Sequence, residues 1–195
     1  MADRIVRWFD GASRPRIGYA LIAAVAAGYS LVAFELALAG ARPMPQPYLR
    51  IGDAEYFAWA ALFYAPVIVG AWLLASAVMA VAGLALRLRG SFEKLLPATA
   101  FAAGLGTLST LLPDLVTSPL RMAGVIDEAS WERSIAEFGG WFWFTWVTLV
   151  VYIGIFAVAF PLAVRHALRA PWSIAVPLGL AGFAVFQGFE YLFIR

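Results

Sequence analysis

Five long apolar stretches constrain the fold of this chain more than any other feature. Each holds roughly 20 residues with few charges, the length that an α-helix needs to cross the hydrocarbon core of a bilayer. The predicted spans occupy residues 17–40, 66–86, 95–112, 141–164 and 172–194. Only 13% of the residues are charged, about half the ~25% of soluble domains. The sequence therefore predicts one all-α membrane domain over residues 1–195, a polytopic bundle of five transmembrane helices.

A short interfacial helix is predicted before the second span. Residues 53–65 are helical in character, and Pro66, which cannot donate to the helical ladder, is expected to separate them from the span. The segment is aromatic, with Tyr56, Phe57 and Trp59. Because aromatic rings collect at headgroup depth, we expect this helix to lie at the membrane surface.

An amphipathic surface helix is predicted between spans three and four. Asp127 suits its N-cap, and Trp131, Ile135 and Phe138 recur at helical spacing while the acidic residues point elsewhere. Such a face docks another protein, or it rests on lipid and on its own bundle. Trp131, Ile135 and Phe138 are the candidate partner face, and both alternatives stay open.

The distribution of basic residues predicts how the bundle is oriented. Nine of the 14 Arg and Lys residues fall in the N-terminal segment and in the loops 87–94 and 165–169, and five fall on the other side. Cytoplasmic loops are enriched in basic residues, so the N-terminus is expected in the cytoplasm and the C-terminus outside. The Ala-, Gly- and Arg-rich composition is compatible with a bacterial inner-membrane protein, whose outer side is periplasmic. A net charge of +2 does not indicate nucleic-acid binding.

Signatures of catalysis, cofactor binding and metal binding are absent from the sequence. The chain has no cysteine, and its one histidine, His166, closes span four on the predicted cytoplasmic side. No nucleophile elbow or phosphate-binding glycine loop occurs. We therefore expect a protein that is not an enzyme, with no catalytic residue, no cofactor and no metal site.

Two acidic residues lie inside predicted spans. Glu35 in span one and Glu190 in span five share a similar depth below the outer boundary, and Gln187 lies one helical turn from Glu190. A carboxylate inside a membrane is costly and often marks a functional site, so Glu35, Glu190 and Gln187 form a candidate polar intramembrane site. In the alternative, both acids reach towards the headgroups or pair with an arginine on the outer side.

One stretch resembles a known family. Residues 83–102, with their basic Gly90-Ser91-Phe92 turn between spans two and three, resemble the Yip family of Rab-GTPase-interacting membrane proteins, including its bacterial members. The likeness continues in a small-residue third span that ends at Pro113 and in a turn before the last span, and it covers roughly residues 55–195. It implies five spans, a cytoplasmic N-terminus and a link to vesicle traffic and membrane shaping. It transfers no functional residue.

Two hypotheses of function follow. The first is a non-enzymatic accessory or scaffold subunit that packs against another membrane protein or a second copy of itself, or that organises membrane lipids, through the small-residue faces of spans three and five. The alternative is a small permease or ion-coupled transporter that uses the intramembrane carboxylates.

Overall fold

The computed structural model describes Phe9, residues 14–43 and residues 51–193, except for the side chain of Glu128. Within these residues the chain forms six helices and no strand. The helices are α1 (Pro15–Leu38), α2 (Tyr56–Ala85), α3 (Phe92–Met122), α4 (Glu128–Ala136), α5 (Gly140–Leu168) and α6 (Trp172–Phe193). All except α4 are long and apolar enough to cross a membrane. The prediction of an all-α, five-span integral membrane protein is confirmed.

Part of the predicted charge distribution falls outside the described residues. Four of the basic residues that predict the orientation lie there: Arg4, Arg7, Arg50 and Arg195. The predicted end of span five at Ile194 lies outside them as well.

The region before span two differs from the prediction. The separate interfacial helix predicted for residues 53–65 is wrong, because α2 runs without interruption from Tyr56 through Pro66 to Ala85. Tyr56 and Phe57 are buried in the bundle, and the Tyr56 hydroxyl donates to the carbonyl oxygen of Phe193 at 3.1 Å. A proline is tolerated inside a membrane helix when neighbouring helices pack against it. The tertiary contacts of Tyr56 and Phe57 therefore outweigh the cost of continuing the helix through Pro66.

The third span is also longer than predicted. α3 continues past residue 112, through Pro113 and Pro119, to Met122. Side-chain hydroxyls bond the backbone in the turn before Pro113, where Ser109 and Thr110 donate to carbonyl oxygens three residues earlier at 2.6 and 2.9 Å. A proline is tolerated inside a membrane helix where neighbouring helices pack against it, so the helix continues past Pro113.

The predicted surface helix is present as α4. The Asp127 carboxylate accepts a hydrogen bond of 3.0 Å from the Ser130 N–H, which caps the first turn. The capping prediction is therefore confirmed.

The five long helices form a closed ring. α3 packs against α1 and α5, α2 packs against α1 and α6, and α6 packs against α5. A smaller contact between α2 and α3 crosses this ring. The loops at residues 86–91 and 169–171 lie together at one end, since Gly90 lies against Ala167 and Leu168. We call this end the basic end.

The contact across the ring is hydrogen bonded and lies towards the basic end. The Trp72 indole N–H donates to Thr99 Oγ1 at 3.1 Å, and the Ser76 and Thr99 hydroxyls are 2.7 Å apart. All three side chains are buried. Because a polar group in hydrocarbon has no water to bond, this cluster holds α2 and α3 together.

Small residues set the distances between helices elsewhere in the ring. Gly179 of α6 lies against the backbone of Pro161 in α5, and Gly104 of α3 lies against the backbone of Ile22 in α1. A Cβ atom at either glycine would overlap its neighbour. The small-residue faces predicted for spans three and five are thus used for contacts inside the bundle.

The substitution Gly179→Ala should destabilise the bundle, since the added methyl meets the rigid backbone at Pro161. Overpacking of this kind costs about 1–3 kcal/mol, so the apparent melting temperature in mild detergent should fall. Gly188→Ala in the same helix is the control, because no atom lies within 4 Å of the new methyl. Equal melting temperatures for the two variants would contradict this account of the α5–α6 contact.

Candidate functional site

A cavity of about 450 Å³ lies inside the ring. Each of the five long helices contributes to its wall. The lining residues are Tyr29 of α1, Ile68 of α2, Thr107 and Thr110 of α3, Leu149, Tyr152 and Ile153 of α5, and Phe183, Gln187 and Glu190 of α6. Polar side chains from α1, α3, α5 and α6 therefore line one cavity inside the bundle.

The cavity begins where the contact between α2 and α3 ends. Ile68 lies one helical turn before Trp72, and Thr107 lies about two turns after Thr99, in both cases away from the basic end. Towards the basic end, the hydrogen-bonded cluster around Thr99 joins α2 and α3. At Ile68 and Thr107, the cavity lies between these two helices.

Glu190 is the acidic group of the cavity. Its side chain is 8% exposed. The Tyr152 hydroxyl donates to Gln187 Oε1 at 2.8 Å and lies 3.1 Å from Glu190 Oε2. A phenol has one proton, so these two oxygens share a single donor. Gln187 and Glu190 lie on one face of α6, as their spacing predicts.

A second polar group lies on α1 and α3. The Tyr29 hydroxyl donates to Thr110 Oγ1 at 2.5 Å. The neighbouring Thr107 side chain is 3% exposed, and its hydroxyl has no hydrogen-bond partner within the part of the chain that the structure describes. Buried hydroxyls normally have a partner, so Thr107 offers an unused donor and acceptor at the cavity wall.

Glu35 does not line the cavity. Its carboxylate accepts a hydrogen bond from the Ser118 hydroxyl of α3. Glu35 follows Tyr29 by six residues, which at 3.6 residues per turn places the two side chains on different faces of α1. The structure thus brings Gln187 and Glu190 together and places Glu35 in a separate contact between α1 and α3.

The candidate partner face is only partly free. The Trp131 ring packs against the ring of Trp141, tilted by 35° with the centroids 4.7 Å apart. Its centroid also lies 5.3 Å from the guanidinium carbon of Arg121, a cation–π contact. Phe138 lies beyond the end of α4 with φ of 55° and is 66% exposed, while Ile135 is half-buried. Phe138 itself has the left-handed backbone conformation, two residues after α4 ends. Its side chain therefore does not continue the helical stripe that its spacing predicts.

Four polar residues of the cavity were not singled out from the sequence. They are Tyr29, Thr107, Thr110 and Tyr152. A usable signal exists for two pairs. Thr107 and Thr110 have the i, i+3 spacing of one helix face. Tyr29 and Tyr152 lie well inside their spans, although tyrosine is typical of the membrane boundary.

The lining defines what the cavity is able to bind. Its described residues contain one carboxyl group, one carboxamide, four hydroxyls and no Arg, Lys or His. No group of three or more metal-ligating side chains occurs within the part of the chain that the structure describes. The arrangement suits a small ligand that accepts and donates hydrogen bonds beside an apolar wall.

Comparison of the chain with protein-family models, with curated proteins and with solved structures finds no match in any of the three. The cavity is therefore the feature that bears on the function of this five-span membrane protein.

The substitution Tyr152→Phe should lower the stability of the folded protein, because it removes the donor that Gln187 and Glu190 share. Leaving a buried acceptor without a partner costs about 1–3 kcal/mol, which a lower apparent melting temperature in detergent would report. Tyr19→Phe, which removes a hydroxyl from a side chain that is 38% exposed, is the matched control. A melting temperature unchanged in both variants would exclude this role for Tyr152.

Proposed function

We propose that this integral membrane protein is a small permease that binds a solute in the cavity inside its helix ring. The observation that carries the proposal is the Thr107 hydroxyl, which is buried at the cavity wall without a partner in the described part of the chain, across a space that Glu190 also lines. Polar and ionisable groups that face the interior of a membrane bundle are typical of solute and ion pathways.

The shape of the cavity also favours a solute. At about 450 Å³ the cavity has the size of a small-molecule site, and much of its wall is apolar. All five spans meet there, so a small shift of any helix changes the site. Alternating access requires such a coupling between a binding site and the helices around it.

We place the protein among non-enzymatic membrane proteins. The described lining offers one carboxyl group and neutral hydroxyls, with no histidine or lysine beside them to activate a nucleophile. Binding and passage of a solute need only the hydrogen-bonding groups that the cavity holds.

We further propose a bacterial inner membrane, with the N-terminus and the basic end in the cytoplasm. The support is the excess of basic residues in the loops around Arg87 and Arg165. In this orientation the cavity lies beyond the Trp72 contact, towards the periplasmic side.

The permease proposal predicts that a cysteine at position 107 is reachable from both sides of the membrane. The chain has no cysteine, so single-cysteine variants give an unambiguous label. Thr107→Cys in proteoliposomes should react with a membrane-impermeant maleimide from either side, because a permease exposes its site alternately. A permanently sealed bundle would protect this position throughout.

Two exposed positions supply the controls for sidedness. Ser91→Cys should react only from the cytoplasmic side and Glu137→Cys only from the other, since both residues are exposed in loops at opposite ends of the bundle. Protection of position 107 from both sides, with both controls reactive, would overturn the permease proposal.

A second candidate function is the accessory or scaffold subunit. The observation that favours it is that Gly154 of α5 and Gly188 of α6 lie on the exposed surface with no neighbouring atom within 4 Å of the position a methyl would take. Exposed glycines let a helix of another membrane protein, or of a second copy, approach closely. This candidate agrees with the resemblance to the Yip family. We propose that the protein is a bacterial-type relative of that family, and the support is the sequence of residues 83–102 alone.

The scaffold candidate is tested by Gly154→Leu. If a partner helix packs at Gly154, the bulky side chain should remove that partner from the complex purified in mild detergent while the melting temperature of this chain stays the same. Wild-type protein that purifies alone, with lipid only, would speak against the candidate.

A further inference from the structure

We infer that the solute of this cavity is a monovalent organic cation, an ammonium group that carries N–H donors and an apolar body. The inference deepens the permease function proposed above and rests on it. The charge of the lining, its aromatic rings and its unused hydrogen-bonding capacity support it.

The charge of the cavity is one-sided. Glu190 is its acidic residue, and among the described lining residues no Arg, Lys or His compensates it. The contacts described for the Glu190 carboxyl are with a neutral phenol. A carboxylate buried without a cation is costly, and a cationic ligand provides the missing charge. An anionic ligand would meet Glu190 without any attracting group.

Aromatic rings line the same space. Phe183, Gln187 and Glu190 follow one another at i, i+4 and i+7, a single stripe of α6. The Phe183 ring lies 6.1 Å from the ring of Tyr152, edge to face, and Tyr29 lines the cavity from α1. One face of the Phe183 ring is stacked on Phe156 at 4.8 Å. Ammonium groups are attracted to aromatic rings, so rings beside a carboxylate favour the same ligand.

The hydrogen-bonding groups narrow the class further. Thr107 Oγ1 is buried and has no partner among the described residues, so it is able to accept from an N–H at the cavity wall. Carboxylate and hydroxyl oxygens are acceptors for a protonated amine. A divalent metal ion fits poorly, because the lining supplies one negative charge against its two.

The apolar body of the ligand has a path from the lipid. Leu149 and Ile153 of α5 line the cavity and are 39% and 45% exposed. The cavity is therefore not fully enclosed on its α5 side, where these apolar residues lie. An amphiphilic amine, whose apolar part partitions into the membrane, would approach the site from this side.

Binding of 4-phenylbutylammonium to the full chain in lipid nanodiscs tests the inference, with neutral 4-phenylbutanol as the comparison ligand. The ammonium should bind saturably, and Glu190→Gln should weaken it by about tenfold to hundredfold, the effect of removing a charged partner. Glu35→Gln is the matched control, since it makes the same change at a carboxylate outside the cavity, and it should leave the affinity unchanged. The alcohol should bind weakly, and equally in all three proteins.

A second variant keeps the test decisive if Glu190→Gln does not fold. Thr107→Val retains the shape of the side chain and removes its hydroxyl. It should weaken 4-phenylbutylammonium by about tenfold and leave the N,N,N-trimethyl derivative unchanged, because that ligand has no N–H to donate. Equal loss for both ligands, equal loss in the two glutamate variants, or no saturable ammonium binding would each overturn the inference.

The outcomes separate this inference from the function on which it rests. If a cysteine at position 107 is reachable from both sides but the protein does not bind the ammonium, the permease proposal stands. The inference that its solute is a cation is then overturned. A position 107 that stays closed to both sides removes the permease proposal itself.

Discussion

The hydrogen-bonded contact of Trp72 and Ser76 with Thr99 determines how the ring of helices is filled. It draws α2 and α3 across the ring towards the basic end. This contact joins α2 and α3 only at the level of Trp72, Ser76 and Thr99. Beyond it, Ile68 and Thr107 face a space that neither helix closes. The cavity is thus a consequence of where the buried polar contact is placed.

The helices around the cavity are held by close packing rather than by exclusion of water. In a membrane, lipid tails compete equally with apolar side chains, so contacts depend on fit. Gly179 against Pro161 is such a contact between α5 and α6, and the shared donor Tyr152 adds a polar contact between the same helices. The interface between α5 and α6 therefore stabilises the bundle and also positions Gln187 and Glu190 in the cavity wall.

Much of this structure could be predicted from the sequence, because span length and helix spacing are local properties. The five spans, the Asp127 cap and the common face of Gln187 and Glu190 follow from them. The passage of α2 through Pro66 could not be predicted, since it depends on where Tyr56 packs in the folded bundle. The same holds for Phe138, whose left-handed backbone ends the helical spacing on which its predicted position rested.

Glu35 and Glu190 show why depth in a membrane is not enough to assign a site. The sequence predicts a similar depth for both acids within their spans. In the structure, Glu35 contacts Ser118 between α1 and α3, and Glu190 lines the cavity. The rotation of each helix decides between these outcomes, and rotation is set by packing. Because Gln187 and Glu190 share one turn of α6 and one donor on α5, a rotation of α6 that broke the bond to Tyr152 would carry both groups away from the cavity together.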